Sequence, residues 1–127
     1  EAFDDEDAFC LISDLTVVEC HSAFAKKVRT QEIGEDDYRV TMQRLMQDVD
    51  RGVLRLRTLG EQEKKQAISL LRSYGTSHGL RTLDALQCAV IHNVDRPLDQ
   101  VYCADRRFNS VLEEEGLVVL NPEDLGQ

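Results

Sequence analysis

Short apolar runs alternate with longer amphipathic segments along this chain, and that order constrains the fold more than any other feature. The runs "FCLI" (9–12), "VLRLRTL" (53–59), "QVYCA" (100–104) and "LVVLN" (117–121) have the length of strands. "VLRLRTL" alternates apolar with basic side chains, as a strand with one wet face or near a sheet edge does. Ser13 or Asp14 can cap a helix reaching about Thr30, with Leu15, Val18, Ser22 and Ala25 on one face. After Gly34, Tyr38, Met42, Leu45, Met46 and Val49 recur at helical spacing until Gly52 ends the pattern. A third helix from Glu61 carries Ala67, Leu70, Leu71 and Tyr74 on its apolar side and stops at Gly75 or Gly79. Thr82 opens a fourth, "LDALQCAVIHN", apolar most of the way round, as a helix packed deep against a sheet must be. Asp105 caps a fifth that runs to Glu115. Strands separated by helices need crossover connections, which lay the strands parallel. The expected class is α/β, with a mostly parallel sheet flanked by helices in three layers.

The length, 127 residues, suits one domain with its own core. Residues 1–8 form an acidic lead-in and 123–127 a tail. The net charge of −9 repels phosphate backbones on average and excludes a generic nucleic-acid coat. A local basic patch remains available, because Arg81, Arg106 and Arg107 sit beside apolar stretches. No apolar run approaches the ~20 residues of a membrane span. No basic segment precedes an apolar one in the manner of a secretory signal, so a cytoplasmic setting is expected. Cys10, Cys20, Cys88 and Cys103 form no C-x-x-C pair and are expected as reduced, partly buried thiols. Cys20 and His21 are adjacent and would point about 100° apart on a helix, which disfavours zinc.

In open α/β sheets, ligands bind beyond the carboxyl ends of the strands. Three acids fall there: Glu19 after "FCLI", Asp84 at the start of the buried helix, and Asp105 after "QVYCA". Each has an ordinary explanation. Asp105 can be a helix cap, Asp84 can answer the helix dipole, and Glu19 can be an exposed helix residue. Asp84, however, stands among Leu83, Ala85 and Leu86. Clustered carboxylates repel one another unless a hard cation neutralises them, and oxygen ligands select Mg²⁺ or Mn²⁺.

Three blocks, "LISDLTVVECHSAFAKKVR", "GLRTLDALQCAVIH" and "VYCADRRFNSVLEEEGLVVLNP", resemble consecutive motifs of the PIN-domain ribonucleases, especially the VapC-like toxins of toxin–antitoxin pairs. The resemblance spans about residues 9–122. It implies a Mg²⁺- or Mn²⁺-dependent endoribonuclease acting on single-stranded RNA, often dimeric, with a short antitoxin as partner. The acidic site of the family maps onto Glu19, Asp84 and Asp105 as catalytic and metal-binding residues, and Arg81, Arg106 and Arg107 would meet RNA phosphate.

Two departures matter. The family begins with an apolar strand ending near "LDTS", whose aspartate is the first metal ligand. Here the opening "EAFDDEDAF" is too polar for a central strand, only 18 residues precede Glu19, and Asp4, Asp5 and Asp7 are poor substitutes. A PIN-like domain without its N-terminal strand and helix is therefore expected, the gap being filled by a partner chain, a swapped segment or a rearranged sheet. Cys103 also stands where the family often has a hydroxyl residue. Two functions follow: a toxin-type ribonuclease, whole or as part of a truncated or split protein; or, alternatively, a non-catalytic degenerate module that pairs with itself or with an antitoxin-like peptide.

Overall fold

Ser13 closes the first strand and starts the first helix. Strand β1 (Cys10–Ser13) runs directly into helix α1 (Asp14–Arg29). The Ser13 backbone is extended and its hydroxyl accepts the Thr16 amide at 3.2 Å, pairing a donor that the first helical turn leaves open. Lys26, Lys27 and Arg29 gather in the last turn, where the helix dipole favours cations. The computed structural model describes residues 10–94, 98, 100–103 and 105–126, without the side chains of residues 107 and 125. The acidic lead-in, with Asp4, Asp5 and Asp7, lies outside the described residues. The chain divides between Thr58 and Leu59 into two compact units.

In the first unit, helix α2 (Glu35–Asp50) follows a short turn. Asp37 reaches back to accept the Gly34 amide at 3.0 Å, and Glu35, Asp36 and Asp37 set negative charge at the helix start. Gly52 takes a φ of +79°, a left-handed turn that ends the helix at no side-chain cost. Strand β2 (Leu54–Arg57) then pairs parallel with β1, with Cys10 opposite Leu54 and Ser13 opposite Arg57. On α2 the face Tyr38–Met42–Leu45–Val49 is sheltered, as the spacing predicts, while Met46 is largely exposed. On α1 the expected face is corrected. Leu15 is half-buried as expected, but Val18, Ser22 and Ala25 are exposed, and Val17, Cys20, Phe24 and Val28 are sheltered in their place. Two stripes were possible there, and the one holding the larger apolar side chains turned inward. Met42 and Ser13 are the buried residues among those described in this unit.

The second unit contains helix α3 (Glu61–Tyr74), helix α4 (Thr82–His92), strand β3 (Val101–Tyr102), helix α5 (Arg106–Glu114) and strand β4 (Val119–Leu120). Strands β3 and β4 are parallel, with Val101 opposite Val119. The core joins Ala67 and Leu70 of α3, Ala85, Cys88 and Ala89 of α4, and Phe108, Val111 and Leu112 of α5. Three alanines among these let α3 and α4 approach closely, and each buried Val or Leu contributes roughly 1.5–3 kcal/mol. The expected tail is instead partly a 3₁₀ turn, Pro122–Gly126. Asn121 starts it by accepting the Glu123 amide at 2.9 Å, and Asp124 pairs with Arg106 at 2.9 Å.

The α/β class and the parallel pairing both hold. Among the described residues the strands form two separate two-stranded sheets. The runs "QVYCA" and "LVVLN" each pair over two residues only. No helix among the described residues is long and apolar enough to cross a membrane. All four cysteines are free thiols.

Candidate functional site

Two helix starts in the second unit bring two carboxylates to one guanidinium. Arg81 occupies the position before α4 with extended backbone, and Asp84 lies one turn on. The Asp84 side chain is only 20% exposed. Ala85 beside it is fully buried and Leu86 half-buried, whereas Leu83 turns outward. Asp105 immediately precedes α5, and its Oδ1 accepts the Phe108 amide at 3.2 Å, as a helix cap does. Its Oδ2 stands 3.7 Å from Arg81 Nη2, and Asp84 Oδ2 stands 3.9 Å from Arg81 Nε. Both acids thus sit at the starts of helices, where the dipole is positive.

Cys103 reports the same pairing of charges. Burial pushes its thiol above the ordinary value and the Asp105 carbonyl opposes this, while the Asp105 and Asp84 charges push it further up. The thiol lies close enough to feel both carboxylates and stays protonated at neutral pH. Beneath it, Asn109 is buried and donates its side-chain amide to the Cys103 carbonyl at 2.9 Å, while its backbone amide bonds the Asp105 carbonyl at 2.9 Å. Asn109 therefore holds the turn that carries Asp105. Sequence reasoning assigned it no role; the available signal was a polar residue between Phe108 and Val111, on the apolar side of α5.

The remaining expected site residues are distributed differently. Arg106 pairs with Asp124 at 2.9 Å. The Arg107 side chain lies outside the described residues. Glu19 is half-buried on α1 of the first unit, where burial and then the Glu19 charge raise the Cys20 thiol. Asp84 and Asp105 belong to the second unit, and they are the pair that a shared partner joins.

Among the described residues, no three His, Cys, Asp or Glu side chains are grouped so as to hold a metal ion. Two carboxylates drawn to one cation still match what Mg²⁺ requires, since that ion keeps several waters and is commonly held by one or two carboxylates plus substrate phosphate. Compared with models of protein families, with curated proteins and with solved structures, the chain matches none.

Proposed function

We propose that the chain is a metal-dependent ribonuclease of the PIN type, acting on single-stranded RNA with Mg²⁺ or Mn²⁺. The observation that carries this reading is the convergence of Asp84 and Asp105 on Arg81 at the starts of two helices. Asp84 and Asp105, both in the second unit, would hold the cation. When bound, the ion would polarise a phosphoryl oxygen and lower the pKa of a coordinated water. The chain's own groups do the rest. Asp105 keeps its carboxylate oriented by spending one oxygen on the α5 cap. Asn109 fixes the turn beneath it. Arg81 supplies a planar fork suited to phosphate, and its 68% exposure leaves it accessible to RNA despite the net negative charge. Arg106 lies in the first turn of α5, where it pairs with Asp124.

Cleavage of end-labelled single-stranded RNA in Mn²⁺, compared between the parent and Asp84→Asn, tests the chemistry. Cleavage by the parent and a loss of at least about 10²-fold in the variant are expected, on the scale of losing one preorganised electrostatic group. Equal cleavage by both would remove Asp84 from the site.

A second reading is a non-catalytic PIN-like module that acts by pairing with itself or with an antitoxin-like peptide. It is favoured by the form of the two sheets, each of two strands among the described residues. Sheet edges accept an added strand from another chain.

A further inference from the structure

Resting on the reading of Asp84 and Asp105 as a cation site, we infer that Arg81 is an internal counter-ion that competes with the metal and is handed over to phosphate when metal binds. The guanidinium spans the two acids through different nitrogens, Nε toward Asp84 and Nη2 toward Asp105. Asp105 Oδ1 accepts the Phe108 amide, and its Oδ2 is the oxygen that faces Arg81.

The contacts are built to be exchanged. At 3.7 and 3.9 Å, both are longer than hydrogen bonds. They are charge contacts of a side chain that is 68% exposed, and exposed ion pairs are weak. Arg81 makes no side-chain cap bond to α4, so the helix start does not depend on it. A guanidinium does not lose its proton, so it cannot yield its place by becoming neutral. It must swing away as a cation. A doubly charged ion held by Asp84 and Asp105 would repel it, and the phosphate of a bound RNA is the anion toward which it would turn. In the metal-free chain Arg81 relieves the repulsion between the two acids; in the metal-bound chain it opposes the ion.

That dual role gives Arg81→Gln two effects of opposite sign. Without metal the variant melts at a lower temperature than the parent. With metal it binds Mn²⁺ more tightly, by between about two- and tenfold, as removal of two weak ion pairs predicts. Arg81→Lys, which keeps a charge, stays near the parent. The readouts are free Mn²⁺ by electron paramagnetic resonance on the intact chain and thermal unfolding with and without MnCl₂, with Asp84→Asn as the variant that loses binding. Equal Mn²⁺ affinity in the parent and Arg81→Gln, with binding lost in Asp84→Asn, overturns the counter-ion role and leaves the metal site standing. Weaker binding in Arg81→Gln also overturns it, because Arg81 would then assist the metal. No Mn²⁺ binding by parent or variant at millimolar concentration overturns both the inference and the site on which it rests.

Discussion

Tyr74 donates its hydroxyl to Glu115 Oε2 at 2.6 Å across 41 residues of chain. The other oxygen of the same carboxylate meets His92 Nε2 at 3.1 Å. Tyr74 ends α3, His92 ends α4, and Glu115 follows α5, so one side chain ties the ends of three helices. Next to it, His78 packs edge-on against Tyr74 and meets Glu114 Oε1 at 3.0 Å. This cluster gathers at the end of α4 remote from Asp84, and its part is to fasten the helices that carry the site.

Replacing Glu115 by Ala removes the partner of a phenol and of an imidazole together. We expect a loss of about 1–3 kcal/mol, the range for stranding partly buried polar groups. Tyr74→Phe, which removes one donor and leaves His92 paired, is expected to cost about 0.5–1.5 kcal/mol. Urea midpoints for the two variants check this ordering; a Glu115→Ala midpoint equal to that of the parent would mean the cluster holds nothing.

Stability falls in alkali. Burial, and then the Glu115 charge, push the Cys88 thiol from 9.0 up to about 12. The hydrogen bond to Glu115 is the first cause that raises the Tyr74 phenol from 10.0 to about 12. In the unfolded chain both ionise at their ordinary values, so between about pH 9 and 12 the folded state holds more protons. The contribution is fully present below pH 9 and is lost as pH rises toward the folded values. Urea unfolding at a series of pH values across this window should show declining midpoints, with a shallower decline in Cys88→Ala. A midpoint that stays level across the window would contradict the burial argument.

The cap and the charge of Asp105 separate by mutation. Asp105→Asn retains an oxygen for the Phe108 amide and should unfold within about 0.5 kcal/mol of the parent, whereas Asp105→Ala loses the cap and about 0.5–2 kcal/mol. Both should lose Mn²⁺ binding. Chemical denaturation alongside metal titration distinguishes the outcomes; retention of binding by Asp105→Asn would make the residue a cap alone.

Metal should stabilise the parent by mass action. At Mn²⁺ ten times the dissociation constant the gain is about 1.4 kcal/mol, or several degrees in melting temperature for a chain of this size. Asp84→Asn should show no such rise. An identical rise in both proteins would assign the effect to nonspecific binding by the acidic surface.

Much of the helical framework was legible in the sequence because its signals are local. Gly34 and Gly52 bracket α2 at the expected residues, and Thr82 begins α4. Capping and left-handed turns depend on a few neighbouring atoms, and the residues that supply them are few. The helix from Glu61 ends at Tyr74 with Gly75 as its cap, the nearer of the two glycines, Gly75 and Gly79, that the sequence offered as its stop. The Asp105 cap was read directly, but the Asn109 bond beneath it was not, since it depends on where the chain turns between β3 and α5.

By itself, then, the sequence determined the order of elements, the α/β class, the parallel strand sense and the apolar faces of α2 and α3, all of which follow from periodicity and turn chemistry over a few residues. Only the tertiary structure decided that Val17, Cys20, Phe24 and Val28 rather than Val18 and Ala25 are sheltered on α1, that the strands pair as two small sheets, and that Asp84 and Asp105 share Arg81 while Arg106 turns to Asp124. These are choices between partners distant in sequence. Close packing and charge pairing set them, and neither leaves a periodic trace along the chain.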